Sequence, residues 1–297
     1  MPSVVNRWSG DPAPPGLLRA LAAHDAGPWR DAPVVFLHET GSTNDVALQA
    51  AAAGAPDGSS VLARMQTAGR GRRGRTWQSP AGAGLYFSVI VRPPAAALGA
   101  QPGAASDQPG PATLLTLMAA VAVVDAIAAV TGLAPTIKWP NDLIVERGRE
   151  AGRGRWDRRK LAGILAEGAL ASGELQQVVI GIGVNLAPGA YPPEVAAVAT
   201  SLEAELGRPV DGFEVFAACR AALARESVSL FAGGSADLLA RWRRAAPSSV
   251  GARVAWHDGD RRLSGVTAGL SDTGALLVTP DDGGPRVALV AGDVEWD

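Results

Sequence analysis

The two lysines of this chain, Lys138 and Lys160, are the side chains whose type and position most suggest chemistry. All of the other twenty-five Lys/Arg positions are arginines. Lys138 precedes Trp-Pro-Asn-Asp and Lys160 precedes Leu-Ala-Gly. An ammonium is a compact point charge with rotatable donors, whereas a guanidinium is a flat fork, so lysine suits a single phosphate oxygen or a developing oxyanion. We predict such a contact for both lysines; the alternative is that a compositional bias left them there by chance.

A second cationic segment, the arginine loop (residues 69–75), contains four arginines and three glycines between two predicted strands. Glycines allow close backbone approach and arginines bind oxyanions, so an anionic ligand is predicted. No Gly-Lys-Ser/Thr follows, which excludes a P-loop. A solvated charged loop and a nucleic-acid-binding RGG tract remain as alternatives, although RGG tracts lie in long disordered repeats. Self-repulsion predicts that this loop is mobile alone and becomes ordered on binding a nucleotide or an adenylate.

The remaining polar motifs are short and weak individually. Pro140, Asn141 and Asp142 could form the floor of a small-molecule site or an ordinary turn. Asn185 ends an apolar strand pattern. The histidines are scattered and no Ser-His-Asp or Cys-His set is evident, so a covalent enzyme intermediate is not required. The histidines are His24, His38 and His257.

Length and composition indicate a globular protein with one large domain or a large and a small one, since 47% of its 297 residues are apolar. The net charge of −2 provides no overall positive field for nucleic acid or an anionic membrane. Cys219 has no second thiol to pair with, which favours a core residue in a reducing compartment. Residues 1–11 lack the apolar segment of a secretory signal. Residues 114–130 are apolar but carry Asp125, so we predict a buried helix, no membrane contact and a cytoplasmic protein.

Apolar periodicity predicts an α+β chain. Strands are predicted at residues 34–38, 60–65, 85–91, 136–139, 143–145, 161–167 and 178–184. Helices are predicted at residues 45–53, 114–131, 213–230 and 236–244. A Ser, Thr or Asn can cap the first of these helices, and Gly54 ends it in the left-handed conformation. Residues 93–111 and 146–159 are predicted loops, and short alternating strands after Gly251 predict a small β-barrel.

Together these segments resemble the biotin protein ligase family, also called biotin-[acetyl-CoA-carboxylase] ligases. The motifs stand in family order: Ser-Thr-Asn at 42–44, Gln-Thr-Ala with the arginine loop and Thr-Trp at 66–77, Lys-Trp-Pro-Asn-Asp at 138–142, Lys-Leu-Ala-Gly-Ile-Leu at 160–165 and Gly-Ile-Gly-Val-Asn at 181–185. The resemblance implies an α+β fold, with a mixed-sheet catalytic domain of the class II synthetase-like type over residues 1–247 and an SH3-like β-barrel over residues 248–297. Larger members carry an N-terminal winged helix that binds DNA. About thirty residues precede the first strand here, so we expect the monofunctional form and no DNA partner.

The resemblance further implies that biotin and MgATP form biotinyl-5′-AMP, whose biotin then passes to a lysine of a biotin carboxyl carrier domain. The implied catalytic residues are Lys160, Arg70 and Arg72. The residues implied to bind biotin or its adenylate are Ser42, Thr43, Asn44, Gln66, Gly69, Arg70, Gly71, Arg72, Trp77, Lys138, Asn141, Lys160, Gly163 and Asn185. Among these, Ser42, Thr43 and Gln66 would bind the ureido end and Trp77 would cover the adenine. No protein metal ligands are assigned, because ATP would carry most of the Mg²⁺ coordination.

Several points stay open at the level of sequence. Gly41 stands where many family members have an acidic residue, and its consequence is undetermined. Lipoate protein ligase shares the implied fold and chemistry, but the polar 42–44 segment and Gln66 favour biotin over an apolar dithiolane. A non-catalytic nucleic-acid binder using the arginine loop is the alternative of a different class. An exposed strand could pair with a carrier domain or with a second copy in a homodimer, and the residues do not choose between them.

Overall fold

The computed structural model describes residues 10–94, 111–149, 156–171, 174–290 and 294–296. It contains a seven-stranded mixed sheet with helices on its faces and a separate five-stranded antiparallel sheet at the C-terminal end. This arrangement confirms the predicted α+β fold class.

The larger sheet is built from strands whose apolar residues bury both faces at its centre. Its strands are β1 (Val34–Leu37), β2 (Ser60–Ala63), β3 (Gly84–Val91), β4 (Thr136–Lys138), β5 (Asp142–Arg149), β6 (Trp156–Ala171) and β7 (Glu174–Asn185). Their order across the sheet is β1-β2-β3-β7-β6-β5-β4. β1 and β2 are parallel, and the other neighbouring pairs are antiparallel. The central β3, and β7 from residue 178 to residue 184, read as nearly continuous apolar runs because these stretches are almost entirely buried.

Helices cover this sheet unequally. They are α1 (Pro15–Ala23), α2 (Thr43–Ala52), α3 (Pro111–Thr131), α4 (Leu202–Leu206), α5 (Gly212–Phe231) and α6 (Ser235–Ala245). On one face, α3 packs against α5, α6 and the sheet in the main hydrophobic core. On the other face, α2 buries its alanines against β2, β3 and β7 in a small second core. The rest of that second face is therefore left available for a site.

The apolar helix α3 is an interior element. Residues 113–131 have the length and the mean hydropathy, 2.2, of a membrane span. Leu117, Met118 and Ile127 are nevertheless fully buried among core residues of the same chain. The predicted buried helix is therefore confirmed.

The C-terminal sheet consists of β8 (Val250–Asp258), β9 (Arg261–Leu270), β10 (Leu276–Pro280), β11 (Val287–Leu289) and β12 (Glu295–Trp296). Its order is β11-β10-β9-β8-β12, with antiparallel neighbours throughout. The indole Nε1 of Trp139 donates a hydrogen bond to the Gly274 carbonyl at 3.2 Å and so joins the two sheets. α6 ends at Ala245 and β8 starts at Val250, while the domain boundary at residue 247 stays a prediction.

Two predicted local features differ from the structure. Ser42 occupies the N-cap of α2, but its side chain makes no capping hydrogen bond, so the hydroxyl is left for the site beside it. Within the predicted loop at 146–159, the described residues are strand, because β5 continues to Arg149 and β6 begins at Trp156; residues 150–155 lie outside the described residues. Gly54 has φ +90°, which confirms the left-handed end of α2. Of the predicted loop at 93–111, residues 95–110 lie outside the described residues.

Candidate active site

A cavity of about 190 Å³ lies on the α2 face of the large sheet. The strand alternation explains its position, since successive side chains of a strand point to opposite faces. In β7, Ile180, Ile182 and Val184 enter the main core. Gly181 and Gly183 fall on the opposite face, where the absence of side chains leaves room for the cavity and its walls.

The cavity brings together nearly all of the residues that the sequence predicted for the site. Those lining it are Ser42, Thr43, Asn44, Gln66, Arg70, Gly71, Arg72, Trp77, Lys138, Asn141, Lys160 and Gly163. Gly69 and Asn185 do not line it. A Cβ on Gly69 would lie 2.4 Å from the Trp77 carbonyl oxygen, so Gly69 permits a close backbone approach behind the cavity. Asn185 is 4% exposed and lies beneath Lys160. The functional roles of these residues stay predictions.

One end of the cavity is a connected network of uncharged polar side chains. The Gln66 side-chain oxygen accepts from the Thr43 backbone N–H at 2.8 Å and from the Thr43 hydroxyl at 3.1 Å. The Ser88 hydroxyl lies 2.8 Å from the Thr43 Oγ1 and 2.5 Å from the Asn44 Oδ1. Buried polar groups are stable only when they are paired, so this network fixes the orientation of each member. The end therefore offers positioned hydroxyl and amide groups to a polar, uncharged ligand group.

The arginine loop is held in place by partners on neighbouring elements. Arg70 donates to Asp45 at 2.5 Å and to Glu167 at 2.7 Å, which ties the loop to α2 and to β6. Arg72 donates to the Asn141 Oδ1 at 3.2 Å. The Gly71 N–H also donates to the Arg75 carbonyl at 2.7 Å. These two carboxylates neutralise the charge of Arg70, so Arg70 adds little to the repulsion among the four arginines. The predicted ordering on ligand binding stays a prediction.

The opposite end of the cavity contains both lysines. The Lys160 Nζ lies 2.8 Å from the Asp142 Oδ1 and 5.2 Å from the centre of the Trp77 ring, a cation–π geometry. Burial lowers the pKa of Lys138, and the nearby Asp142 carboxylate partly offsets this effect. The Lys160 side chain is 37% exposed. A negatively charged ligand group would therefore meet the Lys160 ammonium directly.

Glycines under Trp77 set the depth of the cavity. A Cβ on Gly183 would lie 2.5 Å from the Trp77 Nε1, and one on Gly163 would lie 2.9 Å from the Trp77 Cζ3. Real Cβ contacts do not reach such distances, so the indole packs directly on two bare strand backbones. Trp77 therefore forms an apolar wall between the polar end and the lysine end.

Residues 38–185 of the chain match the family model described as "Biotin/lipoate A/B protein ligase family". The biotin-[acetyl-CoA-carboxylase] ligase of Paracoccus denitrificans is 35% identical over 254 residues, which are 82% of this chain and 92% of that protein. The corresponding ligase of Mycobacterium tuberculosis is 35% identical over 272 residues, which are 90% of this chain and 89% of that protein. The chain belongs to the biotin/lipoate A/B protein ligase family.

Solved structures agree on the fold. Biotin protein ligase from Aquifex aeolicus, in complex with biotin and ATP, has a TM-score of 0.70 at 23% identity and covers 89% of this chain and 98% of its own. At this identity the likeness speaks for the fold alone. The family match and the fold thus lead to the same architecture by independent comparisons.

For this member of the biotin/lipoate ligase family, the structure adds contacts that the sequence motifs alone did not predict. Asp142 forms an ion pair with Lys160, and Glu167 binds both Arg70 and the Asn44 amide. Asp142 was visible in the Lys-Trp-Pro-Asn-Asp motif, where an acid beside a functional lysine was a usable signal. Glu167 and Ser88 carried no such signal, because only the sheet register brings them under the cavity.

Proposed function

We propose that this chain is an ATP-dependent biotin protein ligase. In the first step, a carboxylate oxygen of biotin attacks the α-phosphorus of ATP, the bond to the β-phosphate breaks and pyrophosphate leaves. In the second step, the amine of a carrier-domain lysine attacks the biotinyl carbonyl, loses a proton and displaces AMP. The observation that carries this proposal is one cavity with an uncharged polar end, an aromatic wall and a cationic end, in a chain 35% identical to two biotin-[acetyl-CoA-carboxylase] ligases.

The uncharged end suits the ureido ring of biotin. A ureido group has two N–H donors and a carbonyl acceptor, and a buried group of this kind needs a partner for each. Ser42, Thr43 and Gln66 present hydroxyl and amide groups there, and hydrogen bonds to neighbouring groups fix Thr43 and Gln66. The same end offers little to the apolar dithiolane ring of lipoate, which supports biotin as the substrate.

The cationic end suits the reacting carboxylate and α-phosphate. Attack of one anion on another requires neutralised charge and alignment more than proton transfer. Lys160 and Arg72 line the cavity beside Trp77, so they are the residues we assign to this task. Arg70 already forms ion pairs with two carboxylates. We therefore assign Arg70 the task of positioning the arginine loop, in addition to any contact with the ligand.

The Mg²⁺ that accompanies ATP would be coordinated chiefly by the phosphates of the nucleotide. Among the residues that the structure describes, no group of three or more His, Cys, Asp or Glu side chains could hold a metal by itself. Mg²⁺ commonly keeps several waters and binds through one or two carboxylates together with substrate phosphates. Asp142 is the carboxylate that lines the cavity and would meet it there. When bound, the ion would neutralise phosphate charge.

The macromolecular partner in this proposal is a biotin carboxyl carrier domain, supported by the printed activity of the two ligase relatives. We include no DNA partner, because the net charge of −2 provides no general attraction to phosphate backbones. A homodimer through an exposed sheet edge is compatible with the function and is not required by it.

The test is biotin-dependent pyrophosphate release by the purified protein with MgATP, followed by mass spectrometry of an added biotin carrier domain. We expect release with biotin, little with lipoate, and one biotin added to one carrier lysine. Pyrophosphate release with lipoate alone would replace biotin by lipoate as substrate. Absence of nucleotide consumption, together with salt-sensitive oligonucleotide binding, would instead support the nucleic-acid alternative.

A further inference from the structure

A buried arginine lies far along the chain from the motifs of the candidate active site. Arg220 is in the middle of α5 and only 3% exposed. Its Nη2 donates to the Trp29 carbonyl and, at 3.0 Å, to the Ala32 carbonyl. Its Nε is buried and has no hydrogen-bond partner, and no carboxylate among the described residues pairs with it. Burial lowers the pKa of Arg220 to about 10, so the guanidinium is still charged at neutral pH.

Such a charge is unusual on physical grounds. Burying an ionised group is unfavourable unless it is paired with an opposite charge or fully hydrogen-bonded. Two carbonyl oxygens satisfy one nitrogen of the Arg220 guanidinium and leave its Nε donor without an acceptor. The described residues therefore hold Arg220 in place but do not neutralise it.

Arg220 also lines a separate cavity of about 220 Å³ between α1, β1 and α5. Its walls are Leu21, His24, Ala26, Arg30, Ala32 and Val34. The other two basic residues already have acidic partners outside the wall: Arg30 lies 2.8 Å from Asp25, and His24 lies 2.9 Å from Glu214. One uncompensated positive charge thus faces a small cavity whose remaining walls are aliphatic.

We propose that this cavity, the Arg220 site, binds a small aliphatic carboxylate. The ligand's carboxylate would lie against the Arg220 guanidinium where this residue lines the cavity, and its tail would contact Leu21, Ala26 and Val34. A monoanion matches the single unpaired charge, whereas a phosphate dianion would bring one negative charge too many. The site is independent of the proposed ligase reaction, because its residues are distinct from those of the candidate active site.

The test uses the Nε–H signal of Arg220 in a ¹⁵N-labelled protein at pH 7, identified by its loss in Arg220→Met. Butyrate should move this signal in a saturable manner. Ala32→Leu fills the cavity while retaining Arg220 and the backbone carbonyls, and it should weaken butyrate binding by about tenfold or more. Arg244→Met, which removes an exposed α6 cation, is the matched control and should leave the titration unchanged.

Three results would overturn the proposal. A signal that stays fixed with butyrate means that the cavity holds no carboxylate. A shift that fails to saturate and equals that produced by sodium chloride means only general ionic strength. Saturable binding of inorganic phosphate without any binding of butyrate would contradict the assigned ligand class. Since the readout is the Arg220 signal itself, none of these outcomes depends on whether the protein ligates biotin.

Discussion

The Lys160 side chain reaches the cavity from a backbone that is fixed on both sides. Its N–H donates to the Val198 carbonyl at 2.8 Å, and its carbonyl accepts from the Thr200 N–H at 2.9 Å. The buried Asn185 amide lies 3.3 Å from the same carbonyl and 2.9 Å from the Thr200 carbonyl. Preorganised charge stabilises a transition state better than a charge that must first be positioned. Asn185 therefore helps to fix the backbone of Lys160, and its predicted contact with the ligand stays a prediction.

Replacing Lys160 by arginine should separate binding from chemistry. A guanidinium would keep the positive charge but would turn its fork toward the Asp142 carboxylate, which accepts arginine in a two-bond geometry. We expect Lys160→Arg to retain biotin affinity within about tenfold while adenylation slows by about 10²–10³-fold. Isothermal titration and single-turnover pyrophosphate release measure the two quantities. Arg244→Lys, on the exposed side of α6, is the control exchange, and equal adenylation rates in wild type and Lys160→Arg would exclude Lys160 from the mechanism.

Residue identity alone could indicate which side chains meet a ligand, but not how those side chains are paired. Lys160, Arg72 and Gln66 could be selected because their motifs combine rare or strongly polar residues with glycines. The Arg70–Glu167 contact joins residues 97 positions apart and depends on the register of β6 against β7. No local pattern encodes that register, so the positioning role of Glu167 required the three-dimensional structure.

At the scale of elements, β7 makes the cavity by presenting glycines where its alternation would otherwise place side chains. Gly181 faces Asn44 of α2, and Gly183 faces Trp77. The element boundaries were largely predictable, since apolar periodicity gave every strand of the large sheet. The extension of β5 and β6 beyond the core was not, because residues 146–149 and 157–159 are mostly charged and gain their strand conformation from the pairing of β5 with β6.

Adding a methyl group to this glycine surface should disturb the cavity more than the fold. In Gly183→Ala the new Cβ would lie 2.5 Å from the Trp77 indole, so the half-buried ring must move. This movement would disturb the cation–π contact between Trp77 and Lys160. We expect at least about a tenfold loss of biotin-dependent adenylation with about 1 kcal/mol or slightly more of lost stability. Gly189→Ala, whose Cβ would make an ordinary 3.7 Å contact, is the control. Undiminished adenylation in Gly183→Ala would show that the indole position is unimportant.

The arginine loop should exchange its amide hydrogens more slowly when substrates are present. Arg73 and Gly74 both have positive φ, +56° and +71°, and Arg70 ties the loop to Asp45 and Glu167. We expect biotin with ATP to slow exchange over residues 69–75, and Glu167→Gln to accelerate it in the free protein by removing one ion pair. Hydrogen exchange with mass spectrometry gives both values. The turn around Gly259 in the C-terminal sheet is an internal control, and identical loop exchange with and without substrates would refute ligand ordering.

At the scale of the whole molecule, the two sheets are coupled at the lysine motif. Trp139 directly follows Lys138 and is 2% exposed, and its indole bonds the Gly274 carbonyl of the C-terminal part. Arg158 of β6 lies 5.7 Å from the Trp296 ring centre, and Val294 lines the active-site cavity. The C-terminal part of the chain therefore contacts the lysine motif and contributes to the wall of the cavity. Sequence composition indicated a small β tail but could not reveal this contact, which joins residues 135 positions apart.

Trp139→Phe tests this coupling, because it removes one hydrogen bond while keeping an aromatic ring. The Gly274 carbonyl would be left buried without its donor, and we expect a loss of about 1–3 kcal/mol in the free energy of unfolding together with weaker biotin binding. Trp242→Phe is a matched control: Trp242 is also fully buried, and its Nε1 has no hydrogen-bond partner among the described residues. Both variants shrink an indole to a phenyl ring, so the difference between their urea-unfolding free energies isolates the bond to Gly274. Equal losses in the two variants, with unchanged biotin affinity in both, would show that the sheets are joined by packing alone and that the C-terminal sheet does not position the lysine motif.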